Sequence, residues 1–184
     1  MILFSAYALE DFLMGGGGVK NRKELLRRFF NSVKEDVDLY RVKERIAFYL
    51  KLMDLNFKWS DEHNAFLVPY EISGHTHIVV VSWSDMWVVI RTGIMTKDEV
   101  PSRYREELYK KLLQANHDYY EFAYDMDDEG NIGISEDIFI PALTFDVFWE
   151  EFNVIPLAIK YFWETIIPSL GEARKPGRTD WIYV

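Results

Sequence analysis

The sequence from residue 112 to residue 170, LLQANHDYYEFAYDMDDEGNIGISEDIFIPALTFDVFWEEFNVIPLAIKYFWETIIPSL, decides the fold. Its segments Tyr119–Asp125 and Ile132–Ile140 alternate polar with aromatic or aliphatic residues on either side of the acidic turn Asp127–Asn131. Such alternation is typical of strands in a half-buried antiparallel sheet. The rings expected on one face are Tyr120, Phe122 and Tyr124. The stretch therefore predicts the end of a helix, a β-hairpin with an acidic tip, and a second, long helix.

The second helix of this stretch begins at Thr144, whose hydroxyl can cap the first turn. Large apolar residues then recur at helical spacing: Phe148, Phe152, Ile155, Ile159, Phe162 and Ile166. Pro156 has no backbone N–H, so we expect it to kink or split the helix. Trp149 and Trp163 place rings on other sides of this helix. A helix with aromatic residues on several sides must pack against a further segment or another chain in addition to the sheet.

The same stretch resembles the YbjN-type proteins, a family also known as sensory transduction regulators. The resemblance lies in the order of Leu-Leu-x-x-Asn at 112–116, an aromatic strand, an Asp-x-x-Gly turn, an aliphatic strand ending near Pro141, and Leu-Thr-Phe at 143–145. Upstream, Ile46–Leu55 followed by Asn56–Trp59 is similar to the first helix and first strand of that family. The resemblance implies a small α+β domain, similar in fold to the type III secretion chaperones, that binds other proteins and catalyses nothing.

The rest of the chain predicts one α+β domain with extensions at both ends. An amphipathic helix runs from Leu39 to Met53, and alternating residues then indicate several strands before residue 95. Pro101 introduces a helix over Ser102–Asn116. The expected order is helix, strands, helix, hairpin and helix, with an antiparallel sheet of about five or six strands. The predicted boundaries are an N-terminal helical extension over residues 1–36, a chaperone-like domain over 37–170, and a tail over 171–184.

Composition and charge exclude several classes of function. The chain has 184 residues, no cysteine and a net charge of −9. Acidity argues against nucleic-acid binding, and the lack of cysteine favours a reducing compartment, so we expect a cytoplasmic protein. No apolar run approaches the ~20 residues of a membrane span. The charge is unevenly distributed. Lys20–Lys51 holds 10 basic and 5 acidic residues, whereas Leu112–Leu170 holds 1 basic and 12 acidic residues.

Two patterns suggest an alternative function in binding a ligand or a metal ion. Acidic residues at the spacing of a calcium-binding EF-hand loop occur at Asp125, Asp127, Glu129 and Glu136. An EF-hand requires a helix after the loop, and the alternation up to Pro141 predicts a strand instead. His75 and His77 lie two residues apart on a predicted strand, a spacing that can serve a metal, although the sequence offers no third ligand beside them.

The function that the resemblance and the excess of aromatic residues favour is non-catalytic protein binding, of a chaperone-like or regulatory kind. Interface anchors are often tryptophans, and the candidate anchors here are Trp149, Trp163 and Trp181, of which some are expected to lie in the core. Because the chain has more rings than one sheet can cover, and because the related chaperones pair, we expect a homodimer. We expect no cofactor, no catalytic residue and no membrane partner.

Overall fold

The computed structural model describes residues 39–170, so the predicted extension over 1–36 and the tail over 171–184 lie outside the described residues. Helix α1 spans Leu39–Leu52, and strands β1 to β4 span Lys58–Ser60, Ala65–Ile72, His75–Trp83 and Trp87–Met95. Short 3₁₀ turns at Lys97–Glu99 and Ser102–Tyr104 lead into α2, Arg105–Asp118. Strands β5 (Tyr124–Met126) and β6 (Ile132–Phe139), a 3₁₀ turn at Ile140–Ala142 and helix α3 (Phe145–Tyr161) follow. A π-helical turn, Phe162–Ile166, and the short α4, Ile167–Ser169, complete the described chain.

The strands form one six-stranded sheet in the order β1-β2-β3-β4-β6-β5, and every neighbouring pair is antiparallel. This confirms the predicted α+β class and the predicted helix–hairpin–helix unit. Strands β3 and β4 lie at the centre, as their nearly continuous apolar sequences predict. The tight turn between β2 and β3 consists of Ser73 and Gly74 with φ of 53° and 78°, which is the backbone geometry that suits a two-residue hairpin.

Helix α3 packs on β2, β4 and β6, α1 packs on α3, and α2 contacts β5. The largest fully buried side chains are Phe148, Phe152, Phe162, Ile46, Leu50, Ile90, Ile94, Leu108, Ile132, Ile134, Leu143 and Ile155. Tyr49 of α1 contacts Phe145 and Phe148 of α3, each at 5.6 Å between ring centroids, and the Arg45 guanidinium donates a hydrogen bond to the carbonyl of Leu143. These contacts fix α1 beside the start of α3.

The first strand of the hairpin is shorter than predicted, because regular pairing begins only at Tyr124. Helix α2 continues to Asp118, and its Asn116 amide bonds both backbone groups of Tyr124, at 2.8 Å to the N–H and 2.9 Å to the carbonyl. The prediction that Tyr120 shares a buried face with Phe122 and Tyr124 is wrong, since Tyr120 is 95% exposed whereas the other two are buried. The Asn116 side chain thus pairs with the outer edge of β5, where a neighbouring strand would otherwise bind.

Thr144 caps α3 as predicted, because its Oγ1 accepts a hydrogen bond of 3.3 Å from the Val147 N–H. Of the two expected effects of Pro156, a kink or a split, the split is wrong, since α3 continues through Pro156 as one helix. The departure from α-helical geometry comes later, in the π turn Phe162–Ile166. None of the helices between residues 39 and 170 is long and apolar enough to cross a bilayer.

Candidate functional site

Trp163 lies in the π turn, where two histidines of β3 hold its indole ring. The indole Nε1–H donates to Nε2 of His77 at 3.4 Å, and the His75 ring stacks on the indole face with 4.0 Å between centroids and 7° between planes. A π turn adds a residue to the helical repeat and rotates the side chains that follow it. The turn therefore presents Trp163 to the start of β3, beside the β2–β3 turn.

Both ring nitrogens of His77 are engaged within the protein. Nδ1 lies 3.1 Å from the carbonyl oxygen of Gly93, so this nitrogen carries the proton and donates, while Nε2 accepts from Trp163. The side chain is completely buried, and burial lowers its pKa below the usual 6.5, although the bond to Gly93 acts in the opposite direction. The alternative that His75 and His77 form a metal pair is wrong for this arrangement, because His77 has no lone pair left for a metal.

The acidic turn is the tip of a hairpin, as predicted. Asp127 accepts hydrogen bonds of 2.8 Å from the backbone N–H and from the side-chain amide of Asn131. Its slight burial favours a higher pKa, but these bonds and those from the N–H groups of Glu129 and Gly130 prevail and lower the pKa of Asp127. The chain continues as strand β6 rather than as a helix, so the EF-hand alternative is wrong.

The four acidic residues of the calcium pattern do not converge. Asp125 accepts a hydrogen bond of 2.7 Å from Ser135 Oγ, and Asp127 accepts one from the Asn131 N–H within the turn. Glu136 points to α3 from the middle of β6, where its Oε1 accepts from the Ala123 N–H at 3.3 Å. Within residues 39–170, no group of three or more carboxylate or imidazole side chains could hold a metal ion.

Glu136 forms a carboxyl pair with Glu151 of α3, which the sequence did not reveal. Burial, followed by the negative charge of Glu151, raises the pKa of Glu136 to about 7, although the hydrogen bond from Ala123 acts in the opposite direction. Burial also raises the pKa of Glu151. The two carboxyl groups interact, so a proton on one of them relieves the repulsion between their charges. Fifteen positions separate them in sequence, so only the packing of α3 on β6 makes them neighbours.

The outer side of α3 exposes apolar side chains. Trp149 is 50% exposed and Leu157 is 62% exposed, and Asn153 lies between them on the same side of the helix. The Asn153 side chain donates to the Trp149 carbonyl at 2.6 Å, so it is turned back onto the helix. We call Trp149, Asn153 and Leu157 the α3 stripe.

The three candidate anchor tryptophans lie in different parts of the chain. Trp149 lies on the surface, in the α3 stripe. Trp163 is only 8% exposed and belongs to the core, which corrects its assignment as a tentative partner-binding residue. Trp181 lies outside the described residues. Of the two candidates within residues 39–170, Trp149 keeps an accessible ring.

Comparisons with known proteins agree with this geometry. The family model CesT_Tir_1 matches residues 40–169. The structure is similar to that of the ExsC–ExsE complex, at 12% identity and a TM-score of 0.52, covering 71% of this chain and 97% of that chain. It is also similar to the HopA1–SchA chaperone–effector complex, at 12% identity and a TM-score of 0.50, covering 70% and 99%. YbjN from E. coli is similar at 13% identity and a TM-score of 0.49, covering 65% and 89%. No curated protein matches the chain.

Proposed function

The chain belongs to the CesT_Tir_1 family of type III chaperones, and from this premise we propose that it is a non-catalytic protein-binding module of a chaperone-like or regulatory kind. The family assignment confirms the predicted resemblance to chaperone-like proteins. The fold alone does not fix a function, so the proposal also needs a surface on this chain that suits a protein partner.

Two similar structures favour a protein as the ligand. They are named as complexes, ExsC–ExsE and a HopA1–SchA chaperone–effector pair. By analogy, the partner of this chain is a polypeptide that its apolar surface shields. Because the partner of a chaperone is held rather than converted, no reactive residue is needed at the contact.

The α3 stripe is the observation that carries the proposal. Trp149 exposes half of its surface, although a ring of this size gains about 1.5 to 3 kcal/mol from full burial, and Leu157 is exposed on the same side two turns later. Exposed apolar side chains that line up along one helix are typical of contact sites. Phe48 and Leu52 of α1 expose a second pair at helical spacing.

A capture experiment with matched variants tests the proposal. The tagged full-length chain is incubated with its native extract, beside the variants Trp149→Ala and Lys160→Ala, both of which alter exposed positions of α3. We expect wild type and Lys160→Ala to recover one protein in a fixed ratio to the bait, and Trp149→Ala to lose it. Recovery of the same protein by all three chains would exclude the α3 stripe, and failure of wild type to recover any protein would contradict the module itself.

We further propose that the module pairs as a homodimer in the cytoplasm. The absence of cysteine from the whole sequence supports a reducing compartment, and the exposed rings support pairing. Light scattering at tens of micromolar protein should give the mass of two chains. The mass of one chain would contradict the homodimer without affecting the binding of another protein.

A further inference from the structure

We propose that the hydrogen bond between His77 and Trp163 is an acid-sensitive latch, which holds the segment 162–170 on the sheet and releases it when His77 is protonated. The two side chains join elements that are far apart in sequence, since His77 lies in the central strand β3 and Trp163 in the π turn. The bond is 3.4 Å long and buried.

The latch depends on the neutral form of His77. Nδ1–H donates to Gly93, so Nε2 must keep its lone pair to accept from Trp163. A second proton would place two N–H donors face to face and would leave a charge in a fully buried ring. An unpaired buried charge destabilises its surroundings strongly. Protonation therefore converts an attraction between the strand and the π turn into a repulsion.

The charged and titratable groups around His77 do not offset this repulsion. On β3 itself, His75 lies 6.3 Å away between ring centroids, and its charge would oppose that of His77. On β2, the register partner is Tyr70, whose pKa burial raises, so it stays neutral. On the π turn, Glu164 accepts from Ser73 Oγ at 3.0 Å and pairs with Lys160 at 3.9 Å. On β4, the contact is the carbonyl of Gly93, which cannot titrate.

Apart from the latch itself, the stacking of His75 on Trp163 and the exposed hydrogen bond between Ser73 and Glu164, the segment 162–170 is held by apolar contacts. Phe162, Ile166, Ile167 and Leu170 are all buried. The apolar contacts do not change with pH, so the buried bond between His77 and Trp163 is the contact through which we expect acid to act on this segment. The π turn supports the same interpretation, because its extra residue presents the indole N–H to His77 at the cost of regular helical bonding.

The sign of the pH effect separates this latch from the carboxyl pair of Glu136 and Glu151. The pKa of folded His77 is lowered, so its contribution is complete above the unfolded value of 6.5 and is lost as the pH falls. The pKa of folded Glu136 is raised to about 7, so the contribution of that pair is gained as the pH falls. Acid should therefore loosen 162–170 while it strengthens the contact of α3 with β6.

Hydrogen exchange read by peptide mass spectrometry tests the latch in the full-length protein. Exchange is compared at about pH 5 and about pH 7.5, on either side of the ordinary histidine pKa, after correction for the intrinsic rate. We expect peptides from 162–170 to exchange faster in acid, by about tenfold for each unit by which the pKa of folded His77 lies below its ordinary value. Peptides around Glu151 should show the opposite trend. Equal corrected rates for 162–170 at both pH values would overturn the proposal.

Two variants assign the effect to the hydrogen bond. His77→Gln cannot titrate yet keeps an amide oxygen that can accept from Trp163, so its acid response should vanish. His75→Gln removes the stacked ring and a neighbouring titratable charge but leaves His77 able to titrate, so it should retain a response. An unchanged acid response in His77→Gln would overturn the latch. If that variant fails to fold, NMR titration of the wild-type His77 ring decides, because the ring must leave its Nδ1–H form at the pH at which 162–170 opens, and titration without opening contradicts the proposal.

Discussion

The beginning of α3 and the π turn that follows it each carry a tryptophan, and the two side chains have opposite environments. Trp149 lies on the outer side of the helix with half of its surface exposed. Trp163 is buried, stacked on His75 and hydrogen-bonded to His77. The residue type is the same, so what differs is the neighbour that each helical position meets. A tryptophan is fixed in the core where the sheet offers a partner for its N–H, and elsewhere it is available for another protein.

The largest effect should follow from truncation of the buried ring. Trp163→Ala removes the indole from the core together with its hydrogen bond to His77, so we expect a loss of about 3 to 5 kcal/mol in the free energy of unfolding. Chemical denaturation monitored by circular dichroism measures this loss. A change below about 0.5 kcal/mol would mean that the π turn is not part of the core, and the comparison with Trp149 would fail.

A pH-dependent effect should follow from Glu136→Gln. Burial, followed by the charge of Glu151, raises the pKa of Glu136 from 4.5 to about 7 in the folded protein, so the fold favours its protonated form. That contribution is complete below the unfolded pKa of 4.5 and is lost as the pH rises to about 7. The variant carries a permanently neutral group, so it should be more stable than wild type above pH 7 and equal to it below pH 4.5.

Thermal melts across this pH range measure the difference, with Glu150→Gln as a matched control. Glu150 precedes Glu151 on the same helix and is exposed, and its charge is the smallest of the influences on the pKa of Glu151, so its replacement should change the pH profile much less than Glu136→Gln does. A Glu136→Gln profile parallel to that of wild type would show that Glu136 titrates as in the unfolded chain, and the carboxyl pair would then have no role in stability.

A smaller effect should follow at the start of α3. Thr144 Oγ1 accepts from the Val147 N–H at 3.3 Å and so satisfies one unpaired donor of the first turn. Thr144→Ala should cost about 1 kcal/mol of stability, whereas Thr144→Ser retains the hydroxyl and should cost much less. Equal losses in the two variants would assign the effect to the methyl group of Thr144 rather than to the cap.

The sequence predicted the elements better than the neighbours that they bring together. The hairpin 124–139, the cap at Thr144 and the central β3 and β4 follow from periodicity and local chemistry. The pairing of Asn116 with the edge of β5 could not be predicted, because a side chain there replaces a strand. The same holds for His77 with Trp163, which lie 86 positions apart. The EF-hand pattern matched in spacing alone, since spacing does not show whether a strand or a helix follows.

The affinity of the captured partner for wild type and for Trp149→Ala tests the central claim most directly. Isothermal titration of that partner into wild type and Trp149→Ala should show a loss of about 2 kcal/mol or more in binding free energy, which is roughly thirtyfold in Kd. The variant should unfold within about 0.5 kcal/mol of wild type, because the ring is exposed. An unchanged Kd, or a variant that loses binding only because it unfolds, would contradict the assignment of the α3 stripe as the protein-binding surface.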